Sequence, residues 1–345
     1  MDIAKAQSLF KPVPGFLNTA TYGLPPQPAW DAMQAALDGW RVGRADWEPW
    51  GESTERSREA FARLTGVSPT DITTGAQVSQ LLAPIAAALP DGARVVAPEE
   101  EFTSNLFPWM VQASRGVEVR TVPARELPEA INERTELVAF SVVQSATGEV
   151  ADIDAITAAA SAAGALTIAD ATQACGWFPV DAGRFDVLVC GAYKWLLSPR
   201  GTAFLFTRPD LRARLRPDQA NWWAGSDPHA SYYGPPLRLA SDARAFDISP
   251  AWFSWVGTAP AIELIEQIGI TTIHSHDLGL ANRFRAGLGL ADGNSAIVSV
   301  DVPGAQQRLA TAGVRAAVRG GRVRASFHIY TTEADVDLAV SALTG

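Results

Sequence analysis

The chain of 345 residues is poor in cysteine, with only Cys175 and Cys190. That excludes a disulfide scaffold, a four-cysteine zinc site and an iron–sulfur cluster held by cysteines alone. A reduced intracellular protein is the simpler expectation. Basic charge is also short: 28 Lys and Arg stand against 37 Asp and Glu, a net charge of −9. Phosphate backbones are bound by basic faces, so nucleic acid is not an expected partner. Long apolar runs are absent too. The most apolar windows, 81–89 and 155–169, contain Pro84 and Gly164, and neither reaches the ~20 apolar residues of a membrane span. The opening MDIAKAQSLF has no basic stretch followed by an apolar one, so no export signal is read there and a cytoplasmic location is expected. There is no tandem repeat and no low-complexity tail. Neither GxGxxG nor GxxxxGK[ST] occurs, which removes the main support for a nicotinamide oxidoreductase or a P-loop protein.

What remains is an ordinary globular composition, 47% hydrophobic and 19% charged, in a chain long enough to bury a large core. Its length predicts about two domains at roughly 100–200 residues each. Residues 1–30 are rich in Pro and Gly and read as an extended arm, and 31–65 read as one or two helices. Short β-like runs follow at 94–98, 117–122, 136–143, 165–169, 186–190 and 202–206, with helix-like stretches at 76–89, 104–114, 125–133 and 152–163. Continuous apolar strands alternating with helices predict an α/β layer fold with a largely parallel sheet. Residues 217–255 are irregular and crowded with aromatics, and 258–345 read as a smaller α+β unit with strands near 296–301 and 322–327. The expected division is therefore 1–30, 31–257 and 258–345.

In such sheets ligands sit beyond the carboxyl ends of the strands. Asp170, in DATQ, follows the run ending at Ala169, and Lys194, in GAYKW, follows the run ending at Cys190. A carboxylate and an amine at neighbouring strand ends suit pyridoxal phosphate, which takes a Lys as its Schiff-base partner and an acid against its pyridinium proton. The acid raises the pKa of the ring nitrogen by charge attraction and keeps the ring an electron sink. Each residue alone has a plainer reading, a turn for Asp170 and a solvated amine for Lys194. The stretch TTGAQVSQ (73–80) turns from a short apolar run into a helix. Helix N-terminal amides hold anions such as phosphate, although Thr74 could equally be a simple N-cap. Arg324 opens a strand-like run and has the planar fork that grips a carboxylate, or it is one more cation of a basic edge with Arg315, Arg319 and Arg322. His274, His276 and Asp277 in TTIHSHDLG do not have the spacing of a metal site. No metal is expected, and His328 reads as a packing or hydrogen-bonding residue.

These pieces, in this order, resemble the class V aminotransferase family of fold-type I pyridoxal-phosphate enzymes. That family includes cysteine desulfurases, selenocysteine lyases, isopenicillin N epimerase, kynureninase and the lyase of ergothioneine synthesis. The resemblance runs from LNTATYG (17–23) to RASFHIYTTEADVD (324–337). It implies a large domain with a mostly parallel seven-stranded sheet flanked by helices, plus a smaller C-terminal α+β domain. It implies that Lys194 and Asp170 are catalytic, Lys194 as the Schiff-base lysine and Asp170 as the pyridinium partner. Gln173 would sit near the cofactor's phenolic oxygen, and Thr74, Gly75, Ala76 and Gln77 would cradle its phosphate. Phe102 occupies the ring-stacking position that is commonly His in relatives; it can stack but cannot move a proton. Ser145 stands where many relatives have Asn, Arg324 matches the carboxylate-binding arginine, and Tyr22 of the arm would close over the substrate. Ser249 resembles a hydroxyl that reaches the phosphate of a neighbouring subunit, which implies a homodimer with its sites at the interface.

Two departures bear on the reaction. Gly191, Ala192 and Tyr193 replace the Ser-x-His segment of desulfurases, so Tyr193 would supply the hydroxyl to the phosphate. No cysteine occurs after Cys190, which removes the persulfide-forming residue. The expectation is an enzyme acting on an amino-acid-like substrate, by C–S lyase (β-elimination) or aminotransferase chemistry. An epimerase of the same family, or an inactive scaffold that keeps the fold, are the alternatives.

Overall fold

The computed structural model describes residues 1–345. Seven strands form one sheet: β1 (Ile72–Gly75), β2 (Arg94–Pro98), β3 (Glu118–Val122), β4 (Leu137–Ser141), β5 (Leu166–Asp170), β6 (Val187–Gly191) and β7 (Ala203–Thr207), in the spatial order β1-β7-β6-β5-β4-β2-β3. The pairings β6–β5, β5–β4, β4–β2 and β2–β3 are parallel, and β7 runs antiparallel to both β6 and β1. The sheet is apolar on both faces, as the continuous hydrophobic runs predict. Because successive strand side chains point to opposite faces, Leu188, Cys190, Phe204 and Phe206 join one core. Val187, Val189, Ala203 and Leu205 join the other. The first core is covered by the helices Glu48–Thr65, Ile153–Ala163 and Trp252–Ile268, and the second by Val78–Ala88 and Thr103–Met110.

A second sheet of three antiparallel strands, β8 (Ile297–Val300), β9 (Ala317–Arg319) and β10 (Arg322–Ser326), has the order β8-β10-β9. With the helices Ile270–Gly287 and Glu333–Thr344 it encloses a core of its own around Phe284, Val298 and Phe327. The arm joins the two units. Leu17 N–H donates to the Arg315 carbonyl at 2.9 Å, Ser326 N–H to the Leu17 carbonyl at 3.0 Å, and Gly23 N–H to the Tyr193 carbonyl at 2.9 Å.

The six expected strands of the large sheet form within a residue or two of their predicted bounds. Strand β1 is a seventh that the run ITTG was too short and too polar to declare. The expected helix 125–133 shrinks to a 3-10 turn and the single helical turn Leu127–Ala130, ending before the polar Asn132–Arg134 turn, where Asn132 Oδ1 accepts from Arg134 N–H. The stretch 31–65 divides at Gly43, whose φ of +69° is left-handed. The first helix starts early, at Gln27, because Pro28 is admitted in a helix's first turn. The helix Trp252–Ile268 runs through the 257/258 division and packs along Glu48–Thr65.

One buried ion pair fixes the end of β1. Arg58 Nη2 lies 2.5 Å from Asp247 Oδ2, with side chains 3% and 0% exposed, and Asp247 Oδ1 also accepts Thr74 N–H at 2.7 Å. Removing one partner strands the other charge in the core. Arg58→Ala is therefore expected to lower the unfolding free energy by about 3–5 kcal/mol in urea titration, while replacing both by apolar residues of similar volume costs far less.

Candidate active site

Three parallel strands end side by side. Ser141 closes β4 opposite Asp170, which closes β5, and β6 ends at Gly191. Three residues further on, Lys194 turns back into the space beyond these ends. A cavity of about 440 Å³ opens there, walled by Asp170, Lys194, Tyr193, Phe102 and the turn Ala76–Val78, among others. Lys194 is one of three lysines in the chain, with Lys5 and Lys11, and it is only 6% exposed. Its Nζ lies 5.5 Å from the centre of the Phe102 ring and 5.6 Å from that of Tyr193. Burial lowers its pKa to about 8; Arg324 and Arg319 push the same way, and Asp170 opposes them. Burial raises the Asp170 carboxyl, against hydrogen bonds from Thr172 and the attraction of Lys194. Its Oδ1 accepts the Thr172 N–H at 2.8 Å, and Thr172 Oγ1 accepts Gly191 N–H at 2.9 Å, so the ends of β5 and β6 hold one another.

The loop that carries Lys194 is held from several sides. Leu197 has a φ of +58°, a left-handed conformation that costs a branched side chain free energy and persists only where its surroundings over-determine it. Trp195 Nε1 donates to Gln173 Oε1 at 2.8 Å, and Gln173 Nε2 donates to the Ala20 carbonyl of the arm at 3.0 Å. Two glycines let backbone approach backbone here. A Cβ on Gly23 would lie 2.0 Å from the Lys194 carbonyl oxygen, and one on Gly176 2.3 Å from that of Trp195.

Arg324, in the middle of β10, is 2% exposed. Both of its hydrogen bonds go to neutral oxygens, the Ser145 carbonyl and Thr21 Oγ1 (2.8 Å for the latter), and its buried Nε has no partner. Burial, with Arg319 near it, lowers its pKa to about 10. A buried guanidinium without a carboxylate is costly, and what it lacks is an anion.

Of the residues the sequence proposed, the structure gathers Lys194, Asp170, Gln173, Tyr193, Phe102, Ser145, Ala76 and Gln77 around the one cavity, with Arg324 behind Ser145. Thr74 and Gly75 lie outside its wall. The Thr74 amide is turned to Asp247, and Gly75 is covered by Gln80 and Leu81, which a Cβ would meet at 2.5 and 2.6 Å. The wall of the turn is shifted to Ala76–Val78, at the start of the helix Val78–Ala88. Tyr22 is also outside it. Its ring packs 5.5 Å from Phe16 and borders a neighbouring cavity beside Val323. Ser249 is exposed on the surface of its own chain.

Two charged residues at or directly behind the cavity wall are not singled out by the sequence. Arg200 borders the cavity with its guanidinium carbon 4.8 Å from the centre of the Tyr193 ring. The signal was available, since SPRGT lies between two strand-like runs and so returns to the same sheet end. Glu101 is buried behind Phe102. Its carboxylate accepts the Phe102 N–H at 2.8 Å, the Ser141 N–H at 2.7 Å and the Ser141 hydroxyl at 2.5 Å. Burial, with Asp170 adding, raises its pKa to about 7. In the run EEEF nothing separates it from its two acidic neighbours.

The family described as Aminotransferase class-V matches residues 48–311, and the chain belongs to that family; it is a pyridoxal-phosphate-dependent enzyme. It is 28% identical over 260 residues to the uncharacterized aminotransferase YcbU of Bacillus subtilis, covering 72% of this chain and 69% of that protein. It is 28% identical over 339 residues to the isopenicillin N epimerase of Streptomyces clavuligerus, covering 84% of each. Among solved structures, the cysteine desulfurase CsdA of Escherichia coli superposes with a TM-score of 0.85 at 20% identity, over 99% of this chain and 97% of that one. A C-DES mutant with glycine covalently linked to its PLP cofactor superposes with 0.88 at 19% identity, over 99% of each. At these identities the superpositions show the shared fold.

The buried amine sets a pH dependence. A Lys pKa near 8 leaves the amine charged below that pH and free above it. The rate at which cofactor-free protein captures added pyridoxal phosphate should therefore fall about tenfold for each pH unit below 8 and level off above it, read by stopped-flow absorbance. A flat profile from pH 6 to 9 would contradict the lowered pKa. Gly23→Ala should slow the same capture by displacing the Lys194 carbonyl, leaving far-ultraviolet circular dichroism unchanged.

Proposed function

We propose that Lys194 holds the cofactor and moves the proton at Cα of an amino-acid substrate, in a reaction of C–S lyase (β-elimination) or aminotransferase type. The observation that carries this is the buried Lys194 amine, set between the aromatic rings of Phe102 and Tyr193 with the buried carboxyl of Asp170 in the same cavity. The residues present fit the group. Asp170 offers a carboxylate to the ring nitrogen, Phe102 a flat face to the ring, and Ala76–Val78 a helix N-terminus to the phosphate. Arg200 and Tyr193 add a cation and a hydroxyl where the Ser-x-His segment of desulfurases is lost. Bound there, the cofactor supplies an electron sink for a carbanion at Cα.

The chain's own groups do the rest. Arg324 takes the substrate carboxylate by exchanging its neutral partners, the Ser145 carbonyl and Thr21 Oγ1, for that charge, which fixes which bond at Cα faces Lys194. The free amine takes that proton as a base and returns it as an acid, which its pKa near 8 permits close to neutral pH. The two cysteines are both buried, so no mobile thiol is at hand to take up sulfur as a persulfide, and elimination needs none. A homodimer is part of this reading. Ser249 is exposed and so open to a second subunit, and Trp30, Trp40, Phe107 and Leu237 are each more than half exposed on the surface. A cytoplasmic setting fits the free thiols, and no helix is long and apolar enough to cross a membrane.

The test is product analysis of the loaded enzyme with single amino acids, with and without a 2-keto acid. Keto acid plus ammonia and thiol from one sulfur amino acid establishes the lyase. Turnover only when a keto acid is supplied establishes the aminotransferase. Optical inversion alone establishes the epimerase in their place. In whichever assay responds, Arg324→Gln is expected to raise KM about ten- to a hundredfold, the loss of a charge-assisted pair. An unchanged KM would remove Arg324 from the substrate site.

A further inference from the structure

From sequence, His328 reads as a packing or hydrogen-bonding residue, and His274, His276 and Asp277 lack the spacing of a metal site. The structure joins His328 to Asp277. His328 and Asp277 are both fully buried, with His328 Nδ1 2.8 Å from Asp277 Oδ2 on the helix Ile270–Gly287. His328 Nε2 lies 3.0 Å from the main-chain carbonyl oxygen of Trp195. A carbonyl only accepts, so Nε2 carries a hydrogen and donates it there. The imidazole stands edge-on to the Trp195 indole, 5.1 Å between centres at 75°, and His274 stacks on Trp177, whose indole lies 5.6 Å from that of Trp195.

We propose that His328 is a positioning residue for Lys194: its Nε2–H fixes the Trp195 carbonyl, and its bond to Asp277 aims the ring that does so. This rests on the reading of Lys194 as the cofactor-holding residue. Three observations support it. Trp195 directly follows Lys194, in a loop that contains the left-handed Leu197 and so needs holding from outside. A buried imidazole and carboxylate cost desolvation that an apolar pair of the same volume would not, so mere filling of this core is better done without them. And His328 lies four residues beyond Arg324 on the segment that continues β10. One stretch of chain thus sets both the amine and the carboxylate fork, and the distance between them is the distance across the substrate.

Two isosteric variants separate the two bonds. His328→Gln keeps a nitrogen donor at the Nε2 position and loses the bond to Asp277. His328→Asn keeps a group near Nδ1 and loses the bond to Trp195. The readouts are urea stability and the rate at which added pyridoxal phosphate becomes borohydride-reducible on Lys194, followed by mass spectrometry. We expect both variants to lose stability, His328→Gln to slow capture by about threefold because its donor is no longer aimed by Asp277, and His328→Asn to slow it by about tenfold, the worth of one lost hydrogen-bonded contact. If His328→Asn does not fold, Asp277→Asn serves, since its amide can donate to Nδ1 and leave Nε2–H on Trp195; it should capture within about threefold of wild type. Equal capture rates for the two His328 variants, or an Asp277→Asn as slow as expected of His328→Asn, would overturn the proposal. A wild-type protein that captures no cofactor would overturn the reading of Lys194 and this inference with it.

Discussion

A lysine amine held out of water at the end of a parallel sheet is the constraint around which the rest of this molecule is arranged. An isolated buried ammonium is costly, and a lowered pKa is the form that cost takes. Lys194 meets it with a pKa near 8, kept from falling further by Asp170. A sheet whose β5 and β6 run parallel and end together puts that carboxyl and that amine in one cavity without strain in the strands. The strain is confined to the loop, at Leu197, where three separate parts of the chain bear on it.

That convergence explains the architecture more economically than the sheet does. The arm reaches the loop through Gly23 and through Ala20 on Gln173. The C-terminal unit reaches it through His328. Arg324 of that C-terminal unit is in turn held by Thr21 of the arm and by Ser145 of the loop after β4. The catalytic amine and the carboxylate fork are therefore located relative to each other by contacts among units far apart in sequence. Their burial keeps those contacts from being traded for water.

Much of this was legible in the residues. Apolar runs such as DVLVC and TAFLF are strands because both sheet faces are covered, and their alternating side chains enter two cores as the period demands. Lys194, Asp170, Gln173 and Phe102 were legible because the chemistry of a known family stands in the same order along this chain. What was not legible depended on long-range contacts. Strand β1 is made a strand by pairing with β7 and by Asp247, 173 residues from Thr74. Thr74 and Gly75 looked like the phosphate turn, but packing and that same carboxylate turn them inward and move the wall to Ala76–Val78. Tyr22 follows Phe16 and not the cavity. Glu101 is hidden in a run of acids, and only burial behind Phe102 and Ser141 distinguishes it from solvated neighbours.

The most direct test of the account is the visible absorption spectrum of the cofactor-loaded protein, wild type beside Lys194→Ala, before and after borohydride reduction. The account predicts a yellow band in the wild type that reduction removes, leaving the cofactor fixed to the peptide containing Lys194, and no fixed cofactor in the variant. A wild-type protein that takes up no pyridoxal phosphate, or a Lys194→Ala protein in which the cofactor becomes fixed as in the wild type, would contradict it.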